Sequence, residues 1–407
     1  MAEILGVTIH DGKDSATWTL LDKSDPIRDK ATGMILKEGR PKPHLANVQM
    51  IFSHDPAWME AFAFCELRRR VLVNRVVIDD TEEAEVSRQL SSTYGLNATT
   101  QVISEAIRWA AAKRRSHPVR EWLSGLEWDG VPRVDRWLST YCAAQDTPLV
   151  RAMGRAWLVQ AVARAIEPGC KADAVLVLKG IQGCRKSTTC AVLGGAWYRD
   201  SDIDLGSKDK FAQLEGAWIY ELGELDAMRK SDARALKAFV SSQQDSYRPP
   251  YGRNTQDVPR TTVFVGTTND DEFLVDPTGS RRYWVVEVGA CSPERLEADR
   301  EQLWAEAVHI AATGERWHLP ADLDAERAAG AERYTPVDSW ESPIVEWTRR
   351  ETDFTLDDVW RRALGHERSN ASRADDMRIA TILRRIGFDK SRRNDGASRT
   401  YVWRRSA

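Results

Sequence analysis

The chain reads as an α/β protein: a phosphate-loop core set between an α-rich N-terminal domain and a small basic C-terminal module of winged-helix pattern. Three observations predict this. The apolar run from Ala174 to Leu178 leads into a glycine-containing loop and then a helix start, and two more apolar runs, Gly216 to Leu225 and Thr261 to Gly266, end in polar residues. From Arg361 onward, 13 Lys or Arg stand against 5 Asp or Glu, an excess of +8.

A length of 407 residues allows two to three domains of about 150 residues each. The 42% hydrophobic content is ordinary for a chain that buries a core. The net charge of −3 conceals an asymmetry, because the basic end leaves −11 for everything before it. A basic module on an acidic body predicts a polyanion partner at that end. The six cysteines, at 65, 142, 170, 184, 190 and 291, form no Cys-x-x-Cys pair, so reduced thiols in the cytoplasm of a bacterial host are expected. No run approaches the ~20 apolar residues of a membrane span, and no export signal opens the chain, so no membrane partner is expected.

Residues 1–44 carry little pattern. From Leu45 to about Arg115 the pattern is helical: Trp58, Ala61, Phe62 and Cys65 share a helical spacing, and Thr81 to Leu90 and Thr99 to Ala112 are amphipathic. The N-terminal domain is therefore placed at 1–115. His117-Pro118-Val119-Arg120-Glu121-Trp122-Leu123 opens a helix, Leu126 to Arg133 is a turn, and Pro148 to Ile166 is a long helix with Leu149, Met153, Trp157 and Val162 on one face. The core domain runs over 116–318, a helical linker over 319–342 and the basic module over 343–407.

In the loop Gly180-Ile181-Gln182-Gly183-Cys184-Arg185-Lys186-Ser187-Thr188, backbone N–H groups and the positive end of the next helix would cradle a polyphosphate. Gly180 and Gly183 let the backbone turn, Lys186 would reach the β- and γ-phosphates of ATP, and the Ser187 hydroxyl would hold Mg²⁺. The usual pattern is G-x-x-x-x-G-K-[ST], and Arg185 stands where its second glycine belongs. A side chain there opposes the glycine geometry and sets turnover in question. An ordinary strand-to-helix turn is the competing reading of this stretch alone.

The strand ending at Glu221 and Glu224 supplies one carboxylate for the metal and one to orient or deprotonate the attacking water. Asn269, at the tip of the Thr261 strand, is an uncharged group able to sense the γ-phosphate. Arg281 and Arg282 precede the strand Val285 to Val288 and are candidates for an arginine offered to a neighbouring subunit's phosphoryl group. Between these elements, Asp245 to Asn254 mixes Arg248, Tyr251 and Arg253 in a Pro-Pro-Tyr-Gly turn, a loop able to grip single-stranded DNA. In the last module, helices near 344–350, 356–364 and 375–386 precede two basic strands. That pattern places Arg378, Arg384 and Arg385 on or near a recognition helix and Arg392 and Arg393 in a wing.

Taken together, the His117 to Leu123 and Glu127 to Arg133 blocks, Tyr247 to Arg253, Gly266 to Asn269 and Pro277 to Arg282 resemble the virulence-associated protein E family, phage- and island-encoded ATPases similar to superfamily 3 helicases. The resemblance spans roughly His117 to Val288. It implies an AAA+-like core that assembles as a homo-oligomer, a hexameric ring in better-known relatives, and couples ATP hydrolysis to movement on single-stranded DNA. It also implies that Lys186 and Ser187 are the phosphate and metal residues, Glu221 and Glu224 the acidic pair, Asn269 the sensor and Arg281 or Arg282 the finger. The expected function is an ATP-dependent DNA motor of replicative helicase type, serving a phage or mobile element. The alternative is a DNA-binding scaffold, origin binder or interference protein whose nucleotide site does not turn over, with Arg185 as the discriminating residue.

Overall fold

The computed structural model describes residues 36–37, 40–207, 210–223, 230–247, 255–274, 281–334, 338–367, 372–395 and 398–405. Two compact units are present, one formed by 1–270 and 278–331, the other by 271–277 and 332–407.

The first unit is built on a five-stranded sheet. Across it the strands run Tyr283–Glu287, Val175–Lys179, Val263–Thr268, Ile219–Leu222 and Tyr198–Arg199, and every neighbouring pair is parallel. Val263–Thr268 and Ile219–Leu222 are buried at every residue, and Val175–Lys179 at all but its last. Continuous apolar runs of this kind are what a parallel sheet covered on both faces selects. Because the strands point one way, their C-terminal ends share one edge, and the loop after Lys179 and the residues after Leu222 and Thr268 all emerge there.

Helix Pro148–Ile166 starts where Thr147 accepts the Val150 N–H at 3.2 Å and Pro148 opens the first turn. It is buried along most of its length. Its polar groups bond into the sheet: Trp157 Nε1 donates to Phe264 O at 2.9 Å, and Gln160 Nε2 donates to Ala174 O at 2.8 Å. The His117 block braces this layer. His117 Nδ1 accepts the Arg120 N–H at 3.2 Å as a helix cap, and Trp122 packs against Trp197 and Trp218. The next block is held by helix Pro293–Ala312, where the buried Glu306 accepts the backbone N–H groups of Arg133 and Val134 at 2.5 and 2.9 Å.

Two elements differ from the sequence expectation. The N-terminal segment carries a four-stranded sheet, in the order Val76–Val77, Arg70–Val73, Phe62–Cys65, Arg115–Ser116, beside helices Leu45–His54, Asp80–Tyr94 and Thr100–Ala112. Trp58, Ala61, Phe62 and Cys65 are all buried, so their spacing reported a core correctly, but turn and strand residues supply it. Strands of four residues are too short to show alternation, and the turn between Phe62–Cys65 and Arg70–Val73 contains no glycine, Arg69 itself taking φ 52°. The stretch after Gln243 is the second difference. A loop was expected; Gln244–Tyr247 and Gln256–Pro259 instead pair as an antiparallel hairpin.

The hairpin is rooted in buried charge. Asp245 accepts from Arg260 Nε at 2.8 Å and from Arg69 at 2.5 Å, and all three side chains are essentially inaccessible. The Arg260 guanidinium also lies over the rings of Phe239, Phe264 and Phe211.

In the second unit, helices Glu341–Thr348, Leu356–Asp358 with its continuation Val359–Ala363, and Arg373–Arg385 share a core with three antiparallel strands. The strands lie in the order Asp353–Phe354, Ser398–Arg405, Phe388–Asp395. Ser372 and Asp375 form a reciprocal capping box at the start of the last helix. Among the described residues no helix is long and apolar enough to cross a membrane.

Candidate nucleotide site

The loop between strand Val175–Lys179 and helix Lys186–Gly194 sits at the C-terminal edge of the sheet. Gly180 N–H donates to Thr268 O at 3.2 Å and Val288 N–H to Lys179 O at 2.8 Å, tying the loop strand to both neighbours. Gly180 is needed for packing, since a Cβ there would meet Val288 O at 2.7 Å. Gly183 takes φ 82°, and the space beside its α-carbon is open.

Arg185 is the N-cap residue of the helix and adopts φ 69°, the left-handed geometry that the missing glycine would have supplied. Its side chain leaves the loop. NH1 donates to Glu294 Oε2 at 2.8 Å, NH2 donates to the other carboxylate oxygen, and no side chain caps the helix. The first-turn N–H groups are thus left to a ligand.

The buried Lys186 Nζ donates to the carbonyl oxygens of Gly180 at 2.8 Å and Ile181 at 3.0 Å, and to Asn269 Oδ1 at 2.7 Å. Lysine and Asn269, 83 positions apart, therefore face the same concavity. Next to them, Glu221 is buried and accepts three hydroxyls: Ser187 at 2.7 Å, Thr267 at 2.6 Å and Tyr198 at 2.5 Å. Burial, then the Glu221 carboxylate, push the Tyr198 phenol up in pKa, so it stays a donor.

The donor set fits MgATP. Ser187 Oγ and Glu221 Oε1 are adjacent hard oxygens of the kind that Mg²⁺ takes alongside phosphate and water. Lys186, the open Gly183 turn and an uncapped helix start suit the phosphates. Gln182 and Thr188 are exposed at the rim, and Cys184 is buried behind it.

Arg281 and Arg282 precede the strand whose register pairs Tyr283 with Val175 and Glu287 with Lys179. They sit at the sheet edge opposite the phosphate loop. Arg282 is committed there, donating to Ser241 Oγ at 2.6 Å and lying 3.4 Å from Asp173, whereas Arg281 is exposed.

Glu224, Arg248, Tyr251 and Arg253, and the Arg393 side chain, lie outside the described residues. In the second unit, Arg378 holds Asp338 with two bonds of 2.6 Å and lies 3.9 Å over Trp340. Arg385 pairs with Glu341, Arg384 lies 5.6 Å over Trp403, and Arg392 is exposed.

Tyr198 and Thr267 are the site residues that sequence reasoning missed. Thr267 follows the apolar run Thr261 to Gly266 and Tyr198 opens a two-residue strand, and only the strand order brings them to Glu221.

A family model for the virulence-associated protein E-like domain matches residues 123–353, more than half of the chain. The chain belongs to that family. The matched span contains the whole phosphate loop, Glu221 and Asn269, so the site described above is part of the virulence-associated protein E-like domain. The chain is also similar to solved structures of the NrS-1 C-terminal region. One apo structure is 11% identical with a TM-score of 0.44, over 70% of this chain and 78% of that chain. An A form apo structure is 11% identical with a TM-score of 0.42 over the same shares. No curated protein matches the chain.

Proposed function

We propose that this chain is an ATP-driven motor on single-stranded DNA, of the replicative helicase type found in phages and mobile elements. The observation that carries the reading is the convergence of Lys186, Ser187, Glu221 and Asn269 at one edge of a parallel sheet. Numbered by sequence, the five strands stand in the order 5-1-4-3-2, with the Asn269 strand between the loop strand and the Glu221 strand, an arrangement that supports an AAA+-like core.

In this reading Lys186 exchanges its loop carbonyls for phosphate oxygens, and Asn269, now its hydrogen-bond partner, follows it. Ser187 and Glu221 would hold Mg²⁺, which neutralises the charge that develops on the phosphates. Tyr198 fixes the Glu221 carboxylate through Oε2, and Thr267 shares Oε1 with Ser187. Arg281 serves as the finger. The register places it about six residues or ~20 Å of strand from its own chain's loop edge, so it acts on a neighbouring subunit, which makes a closed ring the natural assembly.

Residues 248–254, which lie in sequence between the two hairpin strands, would contact the DNA strand. The second unit, with three helices and a three-stranded antiparallel sheet, supports a winged helix, and its exposed Arg384, Arg392 and Lys390 are among the charges available for phosphate contact, whereas Arg378 is held by Asp338. The alternative of a scaffold with an idle nucleotide site rested on Arg185, and its guanidinium is drawn off to Glu294.

The test is phosphate release from ATP with and without single-stranded DNA, beside Lys186→Ala and Arg185→Gly. DNA-stimulated turnover that Lys186→Ala abolishes supports the motor. DNA binding without turnover in the unaltered chain assigns the scaffold role.

A further inference from the structure

Cys142, Cys184, Cys190 and Cys291 gather behind the phosphate loop from three separate stretches of sequence. The Cys291 N–H donates to Cys184 O at 3.1 Å, and the neighbouring Gly289 N–H donates to Cys142 O at 2.9 Å. Cys291 Sγ donates to Gly289 O at 3.7 Å, and Cys142, Thr189 and Cys184 all lie near enough to lower its pKa. Lys186 Nζ lies 3.6 Å from Cys184 Sγ. Among the described residues no group of three or more His, Cys, Asp or Glu is set to hold a metal ion, so the chemistry open to this cluster is that of the thiols themselves.

The four are not equivalent. Cys142 and Cys190 are 0% exposed, whereas Cys184 and Cys291 keep 7% and 6%. A small oxidant therefore meets the last two. Hydrogen bonding from Cys142, with help from Thr189 and the Lys186 ammonium, outweighs burial and draws the Cys291 thiol down to about 7. Cys142 moves the other way, its proton held by that same bond to Cys291. The reactive thiolate is thus concentrated on the sulfur in contact with Cys184.

We propose that Cys184 and Cys291 are a reversible oxidation site, forming a disulfide that locks the phosphate loop to the segment after strand Tyr283–Glu287. The 3.1 Å backbone bond from Cys291 N–H to Cys184 O sets the two segments side by side, the neighbourhood a disulfide needs. The oxidant is a peroxide. The Cys291 thiolate attacks one peroxide oxygen, the O–O bond breaks, and the departing oxygen takes a proton and leaves as water, giving a sulfenic acid. Cys184 sulfur then attacks the sulfenic sulfur, and the S–OH oxygen leaves as a second water with the Cys184 proton. Two thiols lose two electrons and two protons, and the peroxide takes up both. A dithiol reductant reverses the bond by exchange.

Cys184 lies two residues before Lys186, so the bond would hold the loop backbone in one arrangement. That this also withholds the loop from ATP rests on the function proposed above. The two claims separate in one experiment on the full chain. The folded protein is treated with hydrogen peroxide, alkylated, digested and mapped by mass spectrometry, with and without dithiothreitol. Amide exchange of residues 181–185 and binding of a fluorescent ATP analogue are then read on both forms.

The expected result is a 184–291 linked peptide that dithiothreitol removes, slower loop exchange, and ATP affinity lowered roughly tenfold or more. Cys291→Ser should abolish all three effects while keeping the reduced-state affinity, and Cys142→Ser should retain the link. Absence of that peptide, or a dominant 142–291 link, overturns the proposal. A reduced protein that ignores ATP overturns the nucleotide reading instead, and the linked peptide still decides this one.

Discussion

Replacing Glu221 with glutamine separates chemistry from stability. The carboxylate accepts hydroxyls from Ser187, Thr267 and Tyr198, and it has no cation within ion-pair distance among the described residues. Glutamine keeps the shape. Its carbonyl can accept from Ser187 and Thr267, and its NH₂ can donate to Tyr198 once the phenol turns its own proton away. Each hydrogen bond loses its charge assistance, about 1 kcal/mol apiece or ~3 kcal/mol in all. Against this, the variant no longer holds an unpaired carboxylate out of water, a penalty of several kcal/mol. The two nearly cancel, so Glu221→Gln should unfold within about 2 kcal/mol of the unaltered protein, on either side.

Turnover should behave differently, falling by about 10²–10⁴, because the carboxylate proposed to hold Mg²⁺ is lost and with it several kcal/mol of charge stabilisation in the transition state. Glu221→Ala is the contrast. It strands the buried Thr267 hydroxyl and the half-buried Tyr198 hydroxyl at about 1–3 kcal/mol each, which lowers the melting temperature by roughly 10 °C. Phosphate release and thermal unfolding, run on all three proteins, read both effects. Wild-type turnover in Glu221→Gln, or a loss of stability equal to that of the alanine variant, would refute the assignment.

Arg185→Gly removes a left-handed non-glycine residue and an exposed ion pair with Glu294, so steady-state kinetics should show kcat/KM changed far less than by Lys186→Ala. Arg282→Ala should lower the melting temperature through loss of Ser241 and Asp173, while Arg281→Ala leaves melting unchanged and lowers turnover only at concentrations where subunits associate. Asp245→Asn leaves Arg69 and Arg260 buried without their anion and should cost about 3–5 kcal/mol in denaturant unfolding. His117 is held neutral by burial, with its pKa lowered from 6.5 to about 4. Between those values only the unfolded chain takes the proton, so stability should be whole above pH 6.5 and fall on acidification toward pH 4, by at most ~3 kcal/mol. The slope should vanish in His117→Asn, whose side chain can still cap the helix.

What was legible in the sequence followed from chemistry that is local in the chain. The loop strand, Lys186 and Ser187 fall within a dozen residues, and the apolar runs before Glu221 and Asn269 announce buried parallel strands. The His117 block was also legible, though its residues cap and brace rather than react. Tyr198 was not, because its contact with Glu221 depends on which strand lies beside which, and a two-residue edge strand carries no period. Arg185 reads in sequence as an obstruction; only its backbone angle and the distant Glu294 show where the side chain goes. The hairpin was hidden because its stems are polar, and its strongest fixture, Asp245 with Arg69 and Arg260, joins positions 176 residues apart.

Strand Val263–Thr268 is hydrogen-bonded on both sides. Arg260, the hairpin's anchor, precedes it, and Asn269 follows it. Nine residues of extended chain are ~30 Å of nearly inextensible rod. Such a rod cannot stretch, and it cannot slip past its neighbours without turning every side chain to the wrong face. Asn269 and the hairpin root are therefore held at a fixed separation by one rigid sheet. A motion that carries the sheet carries both ends, and a shift of either end alone has to be taken up outside the strand.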